Sequence, residues 1–227
     1  MPKPRRKEGG MRYYTRRNLM MEDSKVKPYI QDGLVFHLDG ADSDGKTWVD
    51  RVAGIIYTRS EGTADGKGVT FNMGAGAYMV GNKSIATISP NAGTIEVCAY
   101  RRGTTNSVTD EVLYATSGMP AIHYDVDKSG TFVTISNRNS GPAPRAPISG
   151  KGVGKFTHSC CAARTCYNGT MAAVGSQTYK TQQANRVGIS FKGDIYQIRI
   201  YNRQLTEAEM RWNQIQDAKR YGIALEL

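Results

Sequence analysis

Long apolar runs are missing from this sequence. No window approaches the roughly 20 apolar residues that a membrane-spanning helix requires, so a helical span is excluded. The basic N-terminal stretch is not followed by an apolar segment of the signal-peptide kind. The expectation is therefore a chain that stays in the cell that makes it, or leaves by lysis or another route. Cysteine is scarce, at four residues, and its spacing does not suit a metal cluster. Cys160 and Cys161 are adjacent, and neighbours on a strand point to opposite faces, so they cannot chelate one ion together. Alternation would put His158, Cys160 and Cys166 on one face, which leaves a zinc site open; buried thiols filling a core explain the same letters. All four are expected to be reduced. No G-x-S-x-G, Walker or dinucleotide-binding glycine pattern occurs either, which removes the common hydrolase and nucleotide-binding classes.

What is present points to β-structure. The 227 residues suit one large domain, with 25 glycines and 13 tyrosines against 5 phenylalanines. Thr, Ser and Asn are scattered throughout, as expected of short strands joined by tight turns. "YIQDGLVFHLDG" predicts a strand over Leu34 to Leu38 that ends in an Asp-Gly turn, followed by a polar loop around Trp48. "GVTFNMGAGAYMVG" reads as one or two strands broken by glycines. "AGTIEVCAYRRG" alternates, placing Ile95, Val97 and Ala99 on one face and Glu96 and Cys98 on the other. "EVLYATS", "PAIHYDVDKSG" and "TFVTISN" supply three further strands, and residues 136–155 form a Pro- and Gly-rich connection long enough to be a binding loop or slack. Asn168-Gly169 predicts a type I′ hairpin turn, and "RVGISFKGDIYQIRIYN" adds two closing strands. About ten strands at spacings of roughly 8 to 12 residues argue for a sandwich or barrel.

One helix is well marked. Thr206 and Glu209 form a capping box, Leu205 and Met210 stand at staple spacing, and Gly222 is placed to stop the helix. Ala208, Trp212, Ile215 and Lys219 define its expected packing stripe, and Tyr196, Ile198 and Ile200 of the preceding strand are expected in the core.

Charge is distributed unevenly. Residues 1–28 carry nine basic and three acidic side chains, so +6 of the net +10 lies there and +4 is spread over the remaining 199 residues. This predicts an N-terminal basic arm (1–28) before a sandwich domain (29–227). Arg5, Arg6, Lys7, Arg12, Arg16 and Arg17 would anchor it on an acidic neighbouring protein or on another copy of the chain, unless the arm is simply a solvated tail. Tyr13 and Tyr14 would allow base stacking, but the arm contains no nucleic-acid reading module, so contact with nucleic acid is the less favoured reading.

The segments "GLVFHLDG", "TWVDRVAG" and especially "FKGDIYQIRIYNRQLTEAEMRWNQIQDAKRYGI" resemble laminin-G-like modules of the concanavalin A-like lectin/glucanase superfamily, which recur in bacterial surface proteins and gut bacteriophage proteins. The family's closing strand has the form G-x-I-Y-x-I-R-I-Y-N-R and runs into a helix beginning L-T-x-x-E. Gly193, Ile195, Tyr196, Ile198, Arg199, Ile200, Tyr201, Asn202, Arg203, Leu205, Thr206 and Glu209 fill those places. The "YNG" turn at Tyr167 to Gly169 is similar as well. The resemblance covers residues 29–227. It implies an all-β jelly-roll sandwich of two antiparallel sheets with one short C-terminal α-helix. It also implies a glycan-binding role: a non-enzymatic bacteriophage virion component (capsid-surface, fibre or tail) displaying a host-surface-binding face, or a bacterial carbohydrate-binding module.

The superfamily's glycosidases carry E-x-D-x-x-E, which this sequence lacks. Asp125 and Asp127, on one strand face with His123, are the best hydrolytic cluster, although Asp127 also reads as a solvated turn carboxylate. "LDGADSDG" places Asp39, Asp42 and Asp44 around a glycine turn, a candidate calcium site that a plain Asx turn explains equally; no other cofactor is implied. Trp48 suits a core position or a sugar-stacking platform. Tyr57, Tyr78, Tyr124, Asn137, Arg138 and Asn139 are the residues available for a lectin face.

Overall fold

The computed structural model describes residues 29–72, 78–83, 93–103, 185–189 and 191–222, together with the backbone of the strands between 109 and 172. The basic arm, Asp127, Asn137, Arg138, Asn139 and the Asn168-Gly169 turn lie outside the described residues. Among the described residues, sixteen short strands form two eight-stranded antiparallel sheets. The first sheet has the order β14 (Met171–Ala172), β13 (Thr165–Tyr167), β12 (Phe156–Ala162), β7 (Thr94–Arg101), β16 (Lys192–Tyr201), β5 (Val69–Asn72) and β4 (Thr63–Ala64). β1 (Leu34–Asp39) also joins β16, end to end with β5. The second sheet runs β11 (Arg145–Pro147), β10 (Phe132–Ser136), β9 (Ala121–Asp125), β8 (Thr109–Tyr114), β15 (Arg186–Val187), β6 (Met79–Gly81), β3 (Ile56–Thr58) and β2 (Thr47–Val49). The expected sandwich is observed, and the glycine-broken segment gives two strands, β5 and β6. The Pro- and Gly-rich connection also contributes a strand, β11.

The core lies between the sheets because each strand contributes alternate apolar residues to it. Phe36, Leu38, Val69, Phe71, Ile95, Val97, Ala99, Ile195, Ile198 and Ile200 come from the first sheet; Trp48, Tyr57, Met79 and Val187 come from the second. Trp48 is fully buried and its Nε1 donates to the Asp39 carbonyl at 2.7 Å, so it is a core residue and not a sugar platform. Two expectations need correction. Tyr196 does not join Ile198 and Ile200: a bulge between Ile195 and Gln197 shifts the alternation, so Tyr196 packs on the outer face with Cys98 and Tyr221. The register pairs Cys166 with Cys161, not with Cys160, so Cys166 does not share a sheet face with His158 and Cys160.

Helix α1 (Glu207–Tyr221) starts as the sequence predicts. Thr206 accepts from the Glu209 amide at 3.3 Å, Glu209 accepts from the Thr206 amide at 2.8 Å, and Gly222 ends the helix in the left-handed region at φ 66°. Leu205 and Met210 meet Tyr201 in a small apolar cluster, forming the staple. The packing stripe differs from expectation. Met210, Asn213, Gln214, Asp217 and Tyr221 are buried, whereas Trp212 is 50% exposed. The helix binds its sheet largely through polar groups, which a search for apolar periodicity does not register.

Arg203 forks onto Glu209 at 2.6 and 3.0 Å and, with the Thr206 bonds, holds the Glu209 carboxyl down at about 2, against an ordinary value of 4.5. A depressed carboxylate pKa stabilises the fold above the unfolded value and loses that contribution as pH falls through the folded one. Thr206→Ala is therefore expected to cost about 1 kcal/mol at neutral pH, by urea denaturation. The penalty should shrink between pH 4.5 and 2 as Glu209 protonates and the box opens in the parent chain too.

Candidate functional site

The largest concentration of ionisable side chains lies between α1 and the outer face of the first sheet, and it is closed. Arg199 on β16 is fully buried; it donates to Glu96 Oε2 at 2.7 Å and forks onto Asp217 at 2.8 and 2.7 Å. Its guanidinium also stacks on the Tyr29 ring, 4.2 Å from the centroid, and donates to Gln197. Asn213 bridges the same elements, donating to Glu96 and to the Tyr201 hydroxyl at 2.9 Å each and accepting from the Ile30 amide at 3.0 Å. Burial alone would disfavour the Arg199 charge, but Asp217 and Glu96 outweigh it and hold the guanidinium protonated well above the usual range. His37 bonds Gln197 at 2.8 Å, and burial with the nearby Arg199 and Arg51 charges pushes its pKa down to about 3, so it is neutral. The ion pairs and hydrogen bonds named above tie these groups to other parts of the chain, and they make this a helix-docking layer.

The three aspartates of "LDGADSDG" are divided among different partners. Asp39 is buried and takes Arg51 at 2.9 Å, Arg220 at 2.6 Å and the Tyr221 hydroxyl at 3.0 Å. Asp42 takes the other side of Arg51 at 2.5 and 2.9 Å. Asp44 accepts from its own loop's Lys46 and Thr47 amides at 2.8 and 2.6 Å, and these bonds hold its carboxyl below the ordinary range. That is the Asx turn of the sequence reading. Among the described residues, no three His, Cys, Asp or Glu side chains are grouped to hold a metal ion.

The second sheet presents its outer face differently. Trp48, Tyr57 and Met79 are fully buried in the core. Their strand neighbours Val49, Ile56 and Val80 are therefore turned outward, and they are 41%, 39% and 40% exposed. Val49 pairs with Ile56, Thr58 pairs with Val80, and Val80 pairs in turn with Arg186 of β15, so a continuous row crosses β2, β3, β6 and β15. Val52, in the β2–β3 turn, adds a further 47%-exposed apolar side chain. At the β15 end of this row the Arg186 guanidinium lies over the Tyr78 ring, 5.3 Å from the centroid, and both residues are half-buried. Further along, the register sets His123 of β9 between Glu111 of β8 and Thr134 of β10, with Thr134 opposite Arg145 of β11.

Of the aromatic residues available for a lectin face, Tyr78 is on this surface. Tyr57 is not, because its ring is packed in the core and burial pushes its phenol pKa up. Arg186 and the apolar row were missed by sequence reasoning. Asn82 was missed as well; it is exposed and its Oδ1 accepts from the Ile56 amide at 3.0 Å. The signal that finds them is the inversion in "GIIYT", where Tyr57 goes in and Ile56 comes out.

No protein-family model matches the sequence, and no curated protein matches it. Solved structures do share the fold. Trypanosoma rangeli sialidase in complex with sialic acid is similar at a TM-score of 0.53 and 16% identity, over 82% of this chain and 33% of that one. The binding domain of botulinum neurotoxin DC in complex with SialylT is similar at 0.54 and 11% identity, over 82% of this chain and 52% of that one. The chain thus spans about a third of the sialidase's length. These likenesses establish a β-sandwich fold. Among the described residues, no helix is long and apolar enough to cross a membrane.

Proposed function

We propose that this chain is a non-catalytic carbohydrate-binding module that takes saccharides on the outer face of its second sheet. The observation that carries this reading is the Tyr78–Arg186 stack set into an exposed apolar row, on the sheet face that α1 leaves free. Sugar rings offer apolar C–H faces and a rim of hydroxyls. A flat surface of aromatic and aliphatic groups bordered by Thr58 and Asn82 complements both. The sialidase and the toxin domain that share the fold are bound to sialic acid and SialylT, which supports the choice of ligand class.

Glycoside hydrolysis needs two carboxyl groups about 5 Å or about 6.5 to 9.5 Å apart, flanking the scissile bond. Among the described residues, the buried carboxylates Asp39, Glu96, Asp194 and Asp217 are each held by an arginine, Asp194 by Arg102 at 2.6 Å, and Asp50 accepts from the His37, Val52 and Ala53 amides, so these five offer a substrate no free acid–base pair.

Glycan-array screening followed by calorimetry on the best ligand tests the reading. Tyr78→Ala should weaken binding at least about tenfold, or about 1.4 kcal/mol, with an unchanged unfolding midpoint. Equal binding by Tyr78→Ala, or silence across a broad array, would overturn it.

A further inference from the structure

Resting on that reading, we infer that the face selects acidic saccharides, with Arg186 as the receptor for a sugar carboxylate. Four other arginines on the described surface show what a carboxylate-paired guanidinium looks like here. Arg51 is held by Asp39 and Asp42, Arg102 by Asp194, Arg203 by Asp32 and Glu209, and Arg220 by Asp39. Arg186 is held by an aromatic ring instead, and its Nε is buried without a hydrogen-bond partner. Its strand neighbours Val80 and Tyr114, set opposite it in register, bring no carboxylate.

A guanidinium is always charged and presents its donors as a planar fork. Stacking on Tyr78 fixes that plane, so orienting the fork requires little further ordering when a ligand arrives. With Nε buried, the terminal nitrogens are the groups that meet a ligand. The partner that fits two parallel donors is a planar carboxylate. The adjoining apolar row of Val80 and Ile56 gives the ring bearing that carboxylate a surface to lie on. The chain's net charge of +10 favours an anionic ligand at long range as well. The occupant defined by these features is a saccharide carrying a ring-proximal carboxylate, of the uronic or nonulosonic acid kind.

The test compares such a saccharide with its own methyl ester, which keeps the ring and removes the charge, by calorimetry on the full chain at low and at physiological salt. The acid should bind the parent at least about tenfold more tightly than the ester. Arg186→Gln should erase that difference and leave the unfolding midpoint unchanged, and Arg186→Lys should restore only part of it. Equal affinity for acid and ester in the parent would overturn the inference and leave the saccharide-binding face intact. Tighter binding of a sulfated analogue than of the carboxylate would overturn the choice of carboxylate. Failure of the parent to bind acid, ester or any neutral glycan would overturn the face itself.

Discussion

Replacing Arg199 with methionine is expected to cost about 3 to 5 kcal/mol of stability, the largest effect of any single side-chain truncation outside the apolar core. The reason is the pair of carboxylates left behind. Glu96 and Asp217 both lie at 2.7 Å from the guanidinium, and both are buried, so neither regains water when the cation goes. Methionine fills the volume but supplies no donor. The triple change Arg199→Met, Glu96→Leu, Asp217→Leu should recover most of the loss, because an apolar layer of similar size does not require burying charge. Denaturation followed by tryptophan fluorescence separates two outcomes, since the two tryptophans report on different places. Trp48 sits in the core and Trp212 on α1. If the single variant unfolds within 1 kcal/mol of the parent, the layer is not the clamp described above.

Gly193→Ala should cost about 3 kcal/mol or more, combining backbone strain with overlap. Gly193 has φ 153°, and a Cβ there would stand 2.1 Å from the Tyr100 carbonyl oxygen and 3.0 Å from the Arg101 Cα. Those atoms belong to β7, the strand that pairs along β16, and Arg102 donates its amide back to the Lys192 carbonyl at 2.9 Å. Neither strand can retreat without opening a ladder. Gly54→Ala is the control: its φ of 66° is also unfavourable to alanine, but no atom lies within 4 Å of the added carbon. The two variants compared by urea denaturation should differ by about 1 to 3 kcal/mol, the part due to overlap. Equal losses would assign the whole effect to φ.

These two sites also show what a sequence makes legible. Local signals are legible: the Thr206–Glu209 box, the Gly222 stop and the alternation of Ile95, Val97 and Ala99 each depend on residues a few positions apart. Errors arose where a distant partner decided. The bulge beside Tyr196 lies where β16 pairs with β7, and the face of Cys166 follows from its pairing with Cys161 across the ladder. The buried face of α1 was misassigned because Asn213, Gln214 and Asp217 look solvated until Arg199 and Glu96 are placed beneath them. The open face of the second sheet was hidden for the opposite reason. Hydrophobicity places Ile56 inside and tyrosine near the surface, whereas the larger Tyr57 fills the core opposite Phe36, with ring centroids 6.0 Å apart. Arg186 had no sequence signal, because being unpaired is a property of the surroundings.

The pairing of β1 with β16 dictates an order of events during synthesis. Leu38 meets Ile198 and Phe36 meets Ile200, partners about 160 residues apart in the chain. β1 and β5 leave the ribosome long before the strand that both of them border, and β7 waits for the same neighbour. Until Tyr201 has emerged, the middle of the first sheet is a gap with exposed strand edges on each side, and Glu96 has no cation. Closure of so long a loop makes folding slow, and the waiting edges are available to other nascent chains. The same ten-residue strand that organises the finished sandwich therefore makes its yield depend on how quickly the last fifth of the described chain is delivered, and on what shields the edges in the meantime.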